Sequence, residues 1–184
     1  GASNTSIGYG ALKADTTGYR NTALGYQAGN AVVTGALNTY IGNASGKLHT
    51  GDNSTYIGDN AGALTTSGST NVAIGQASDY NNKTGSSNTA IGYQSMLGAT
   101  DQSHSSNTAV GYKSLYAITT GSNNTALGYN AGLSITTPQN AVAIGSYSNE
   151  QNTTGWSNVA IGGEAIRYNQ TGENNVAIGR QAML

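Results

Sequence analysis

One pattern of polar and apolar positions runs along the whole chain: a polar residue, most often Asn, then a β-branched, a small and an aliphatic residue and Gly, as in Asn21-Thr22-Ala23-Leu24-Gly25. Aligned on the glycine, the motif occurs eleven times, at Gly8, Gly25, Gly42, Gly58, Gly75, Gly92, Gly111, Gly128, Gly145, Gly162 and Gly179. The intervals are 17, 17, 16, 17, 17, 19, 17, 17, 17 and 17 residues. Ile, Leu or Val precedes every one of these glycines. A β-branched residue stands two positions before that aliphatic every time, from Thr5 and Thr22 to Val159 and Val176. Ala or Ser always follows three residues after the glycine. In nine repeats a second Gly lies seven residues before it, usually as Thr-Gly, with His104 and Pro138 as the two substitutes. A Gly-rich linker has no reason to hold these residues in fixed register, so the spacing marks a repeat architecture.

Within the motif, period-two alternation predicts a short strand, with Thr22 and Leu24 on one face and Ala23 and Gly25 on the other. A second, weaker strand is expected in each repeat, with Gly supplying positive φ at the corners and Asn bending its own backbone. One coil cannot bury its own apolar row, so equivalent residues must stack on one another at a strand spacing of ~4.8 Å. The fold class is therefore all-β: a parallel β-roll or β-solenoid of eleven coils, with residues 1–184 forming a single repeat domain, expected to be a piece of a longer fibrous protein. Such a rod is roughly 50 Å long, and a coil perimeter of at most ~56 Å leaves no room inside for a ligand. The expected core ladder is the aliphatic column: Ile7, Leu24, Ile41, Ile57, Ile74, Ile91, Val110, Leu127, Ile144, Ile161 and Ile178. The opposite face carries Ala23, Ala73, Ala90, Ala109, Ala126, Ala143, Ala160 and Ala177, a small-residue stripe expected to form a packing seam between copies. Tyr40 and Tyr56 interrupt that stripe, which implies a local opening of the seam or a solvent-facing stretch.

Composition narrows the function classes. Only 8% of residues are charged and the net charge is −1, with Lys and Arg scattered singly, so no basic stripe exists to neutralise phosphates. No apolar run approaches the ~20 residues that span a bilayer, and no signal segment opens the chain. Cys is absent, which removes disulfides and thiolate metal sites.

The motif Asn-Thr-Ala-Ile-Gly-x-x-Ala resembles the YadA-like head repeat of trimeric autotransporter adhesins and related repeats of phage tail fibres. The match is strongest over Asn21 to Ala28, Asn88 to Ser95, Asn124 to Ala131, Asn158 to Ala165 and Asn175 to Ala182. The resemblance implies a left-handed parallel β-roll, three rolls side by side in an obligate homotrimer, and binding to host surfaces. The repeat here is longer than the typical adhesin head repeat, which implies a longer outer loop or a wider coil. Coiled-coil stalk heptads and a membrane anchor are absent, leaving adhesin head and tail fibre both open.

Candidate chemistry is sparse. His49 and His104 have no neighbours at metal-ligand or triad spacing and read as loop residues; the eight acids fall in different repeat positions, so no carboxylate pair recurs. No cofactor, metal or enzymatic activity is expected. Tyr9, Tyr26, Tyr93, Tyr112 and Tyr129 follow the motif glycine and read as a stacking ladder. Receptor-contact candidates are the variable-loop aromatics Tyr80, Tyr116, Trp156 and Tyr168, with Asp101, Gln102 and His104 from the 19-residue repeat, whose loop from Met96 to His104 must bulge outward. The function expected is a structural and adhesive fibre segment at a cell or virion surface, partnered by its own copies and by a host glycan or protein receptor. The alternative is an ice-binding solenoid, suggested by the two recurring Thr columns; sharing a face with Ile argues that the first of these is interior.

Overall fold

A computed structural model describes all 184 residues. Each motif forms one three-residue strand: β1 (Thr5–Ile7), β2 (Thr22–Leu24), β3 (Thr39–Ile41), β4 (Thr55–Ile57), β5 (Val72–Ile74), β6 (Thr89–Ile91), β7 (Thr108–Val110), β8 (Thr125–Leu127), β9 (Val142–Ile144), β10 (Val159–Ile161) and β11 (Val176–Ile178). They lie in chain order in a single sheet. All pairings are parallel and join motif equivalents: Thr22 opposite Thr39, Ala23 opposite Tyr40, Leu24 opposite Ile41. The register holds across the short interval, where Thr39 faces Thr55, and across the long one, where Thr89 faces Thr108. The chain is thus a parallel β-solenoid without helix. The expected second strand survives only as isolated bridges, such as Ser105 with Ser122 and Ser122 with Gln139.

Strands this short leave most inter-coil pairing to the corners. Beyond β2, Gly25 N–H donates to Ile7 O and Gln27 N–H to Tyr9 O in the coil before, then Gly29 N–H to Ser45 O and Ala31 N–H to Lys47 O in the coil after. The motif glycines have φ between 122 and 140°. A Cβ on Gly25 would lie 2.7 Å from the carbonyl carbon of Gly42, so glycine answers both backbone conformation and close stacking there. Most of the remaining left-handed corners are taken by residues with side chains, as at Lys113 (φ 52°), Leu115 (φ 48°) and Asn123 (φ 58°).

A polar spine runs along one corner of the rod. Asn21 Nδ2 donates to Gly35 O at 2.7 Å, and Asn21 Oδ1 accepts from Asn38 N–H at 3.0 Å. Asn38, Asn71, Asn88, Asn107, Asn124 and Asn158 repeat the arrangement toward the next coil. These side chains are buried, and their bonds satisfy backbone groups that the turn would otherwise strand.

Burial corrects the assignment of faces. Ala23, Ala73, Ala90, Ala109, Ala126, Ala143 and Ala160 are wholly buried and Ala177 is 5% exposed, so the stripe expected as a seam is the interior of the coil. None of the aliphatic column is buried: Ile41, Ile57, Ile74, Ile91, Val110, Ile144 and Ile161 are partly exposed, while Ile7, Leu24, Leu127 and Ile178 are exposed, Ile7 at 60%. The reason is the width of the lumen. Left-handed corners two and four residues after the motif glycine fold the chain straight back over the strand. The Ala or Ser at the third position then sits against the middle strand residue; Ser45 Oγ, for example, donates to Tyr56 O at 2.6 Å. A β-branched or aliphatic row does not fit beneath that cover, whereas a methyl group does.

Tyr40 and Tyr56 follow the same rule and are also fully buried, not solvent-facing. Glycine makes the space. A Cβ on Gly62 would lie 2.6 Å from the Tyr56 ring, and one on Gly29 would lie 2.6 Å from the Tyr40 ring. In three coils whose middle residue is Ala, the same position holds a large buried apolar side chain: Met96 in the coil of Ala90, Leu115 in that of Ala109 and Ile166 in that of Ala160. In these five coils a large residue at one of the two positions goes with a small one at the other.

Candidate functional site

The outward face of the sheet is the most extended surface feature. Thr5, Thr22, Thr39, Thr55, Thr89, Thr108 and Thr125, continued by Val72, Val142, Val159 and Val176, form one column, and the aliphatic residues form a second beside it. The two columns run in register over eleven strands, giving a stripe about 50 Å by 7 Å. No side-chain hydrogen bond holds any of these Thr hydroxyls, whereas in the Thr-Gly column Thr50 Oγ1 donates to Thr66 O at 3.0 Å and Thr84 Oγ1 meets Ser103 Oγ at 2.8 Å. The argument that placed the first column inside the coil is therefore overturned.

The long repeat is only partly the outward bulge expected of it. Asp101 is exposed and pairs with Lys83 at 2.8 Å, while Gln102 is half-buried and bridges to Asn82 through its backbone. Met96 is buried. His104 is also buried, which withdraws it as a contact residue: its Nε2 lies 2.8 Å from Asp79 Oδ1, itself fully buried. Asn82 Nδ2 supports the other carboxylate oxygen, and His104 Nδ1 has no partner. The cause is its position, for His104 occupies the column of the Thr-Gly glycine and turns its ring into the coil.

His49 does lie in a connection between strands, but its side chain is likewise buried. Its Nε2 lies 2.6 Å from Gly68 O, which can only accept, so Nε2 carries the proton and Nδ1 accepts from Tyr40 OH at 2.7 Å. Burial lowers the pKa of this imidazole and raises those of the Tyr40 and Tyr56 phenols, keeping all three groups neutral.

Of the aromatic candidates, Tyr80 and Tyr116 are half-buried and Trp156 and Tyr168 are exposed. The structure does not gather them at one place. Tyr116 meets Lys113, whose Nζ is 5.2 Å from its ring; Tyr168 lies against Arg167, whose guanidinium also covers Tyr147 at 4.9 Å. Arg167 in turn holds Glu150 at 2.7 Å and Glu164 at 3.2 Å. The expected ladder is present as stacks of Tyr9 on Tyr26 and of Tyr93, Tyr112 and Tyr129, which Tyr147 extends edge-on. Sequence reasoning passed over Lys113 because it stands alone in its column; its immediate neighbour Tyr112 was the available signal. The His, Asp and Glu side chains form no cluster of three suited to a metal ion.

No protein-family model, curated protein or solved structure matches this chain.

Proposed function

We propose that this chain is a rigid segment of an extracellular fibre, at a bacterial or virion surface, in which three copies associate side by side and present loops to a host glycan or protein. Resemblance of the motif to adhesin heads and tail fibres supports the trimer, the left hand of the coil and the setting. One observation carries self-association: the in-register stripe of Thr/Val and aliphatic side chains that a single chain leaves outside. Contiguous apolar surface of that extent is characteristic of protein contact. The seam is thus the aliphatic column, with Thr and Val methyls beside it.

Light scattering tests this. A mass near three times the 18.6 kDa chain is expected. Ile74→Lys and Ile161→Lys should dissociate the assembly while leaving the coil folded, because both side chains project from it. A monomeric parent chain would overturn the proposal. The unbonded Thr hydroxyls favour one alternative, an ice-binding face; thermal hysteresis from a monomeric chain would establish it in place of the fibre.

A further inference from the structure

We infer that the groove between the seventh and eighth coils binds a sugar bearing a carboxylate. The inference deepens the surface-attachment reading and rests on it. The groove measures about 430 Å³ and is lined by Tyr112, Lys113, Tyr116, Tyr129, Asn130 and Leu133, with Ala117 and Ser134.

Tyr93, Tyr112 and Tyr129 stack with centroids 5.3 and 5.0 Å apart and planes within 10° and 6°. Their faces cover one another, so the column turns ring edges and phenol hydroxyls outward. Aromatic edges carry the positive rim of the ring quadrupole. Lys113 adds a full charge, its Nζ held 5.3 Å from the Tyr112 centroid and 5.2 Å from that of Tyr116. This ammonium makes no ion pair. Lys83 is matched by Asp101, and Arg167 by Glu150 and Glu164, but no acid lines the groove around Lys113. The field inside therefore selects an anion.

The remaining walls select a polyol. The side chain of Asn130 makes no hydrogen bond, and its Oδ1 is shielded and unpartnered, so its amide can turn to a ligand without losing an internal bond. Ser134 and the phenols add hydroxyls, while Leu133 and Ala117 offer an apolar patch to a C–H face. One cation beside several neutral hydrogen-bonding groups fits a single acidic sugar unit.

Titration of the full chain with glucuronic acid, glucose and acetate, followed by saturation-transfer NMR, tests the inference. Glucuronate should bind about tenfold more tightly than glucose, as a charge-assisted contact provides, and acetate should not compete at the same concentration. Lys113→Gln should abolish the preference for the acid, and Tyr116→Ala should weaken both sugars, with circular dichroism unchanged. Glucuronate no tighter than glucose, acetate competing equally, a preference that survives Lys113→Gln, or an acidic peptide binding equally well would overturn it. Mass in solution separates this from the fibre proposal: a trimer without sugar binding counts against the groove alone, and a monomer that binds the acid counts against the seam alone.

Discussion

If the middle strand residue and the residue four positions after the motif glycine share one space within a coil, then exchanging one large-small pair for the other should be tolerated when neither half is. The fourth coil pairs Tyr56 with Gly62, and the seventh pairs Ala109 with Leu115. Tyr56→Ala alone empties a fully buried site and should cost about 3–5 kcal/mol. Gly62→Leu alone drives a side chain into the Tyr56 ring, already 2.6 Å from where the first carbon would sit. Its cost should be about 1–3 kcal/mol for overpacking and a further ~1 kcal/mol for a side chain in the left-handed region. Simple addition therefore predicts a loss of at least ~5 kcal/mol for the double variant. The structure predicts far less, no more than about 2–3 kcal/mol, because the leucine refills the space left by the ring and Leu115 already adopts the same conformation at φ 48°. Guanidinium unfolding of the four proteins at one fixed concentration measures the coupling. A double variant equal to the sum of its singles within ~0.5 kcal/mol would refute the pairing rule.

Two further outcomes concern the interior and a third an exposed corner. Asp79→Ala strands His104 Nε2 in a closed site and should cost about 3–5 kcal/mol, with Asp79→Asn milder because it keeps an acceptor; equal losses in thermal melts would argue against the pair. His49, its pKa lowered by burial, binds a proton more weakly folded than unfolded, so its contribution to stability is complete above the ordinary value of 6.5 and is lost as pH falls below it. A His49→Gln chain should show a shallower fall in melting temperature between pH 7 and 5 than the parent. Thr70, at φ 59°, is the one β-branched residue in a column of left-handed corners where four other coils place Asn (Asn53, Asn123, Asn140 and Asn174), so Thr70→Asn should raise stability by up to ~1 kcal/mol in chemical unfolding.

Architecture and register were legible in the sequence because both follow from spacing: equal intervals force equivalent residues to stack, and the motif glycine fixes where each strand stops. Which face is inside was not legible from alternation, since period two separates two faces without naming them. Hydrophobicity pointed to Ile and Leu, yet lumen width decided for Ala. A signal was present in the chain: Tyr40 and Tyr56 each have glycine six residues later, Gly46 and Gly62, a size complementarity that only facing interior positions need. His104 was misplaced for a related reason, because it was read by its loop and not by its column. The groove at Lys113 combines residues from two coils, and a cation among aromatic and neutral polar side chains with no acid beside it becomes visible only when those coils are stacked.

The directionality of the Asn spine bears on how such a rod changes length over evolutionary time. The bonds that recur along the spine run toward the coil that follows, where each Asn meets the equivalent carbonyl and the N–H at its own position in the repeat, usually that of another Asn. Even where Ala141 replaces Asn, its N–H still caps Asn124 at 2.9 Å. A junction between any two coils is therefore interchangeable with most others, and a genetic duplication or loss of one whole repeat would bring equivalent surfaces together without a new interface having to be invented. Length then becomes a copy-number trait, varying in steps of ~4.8 Å as recombination adds or removes repeats.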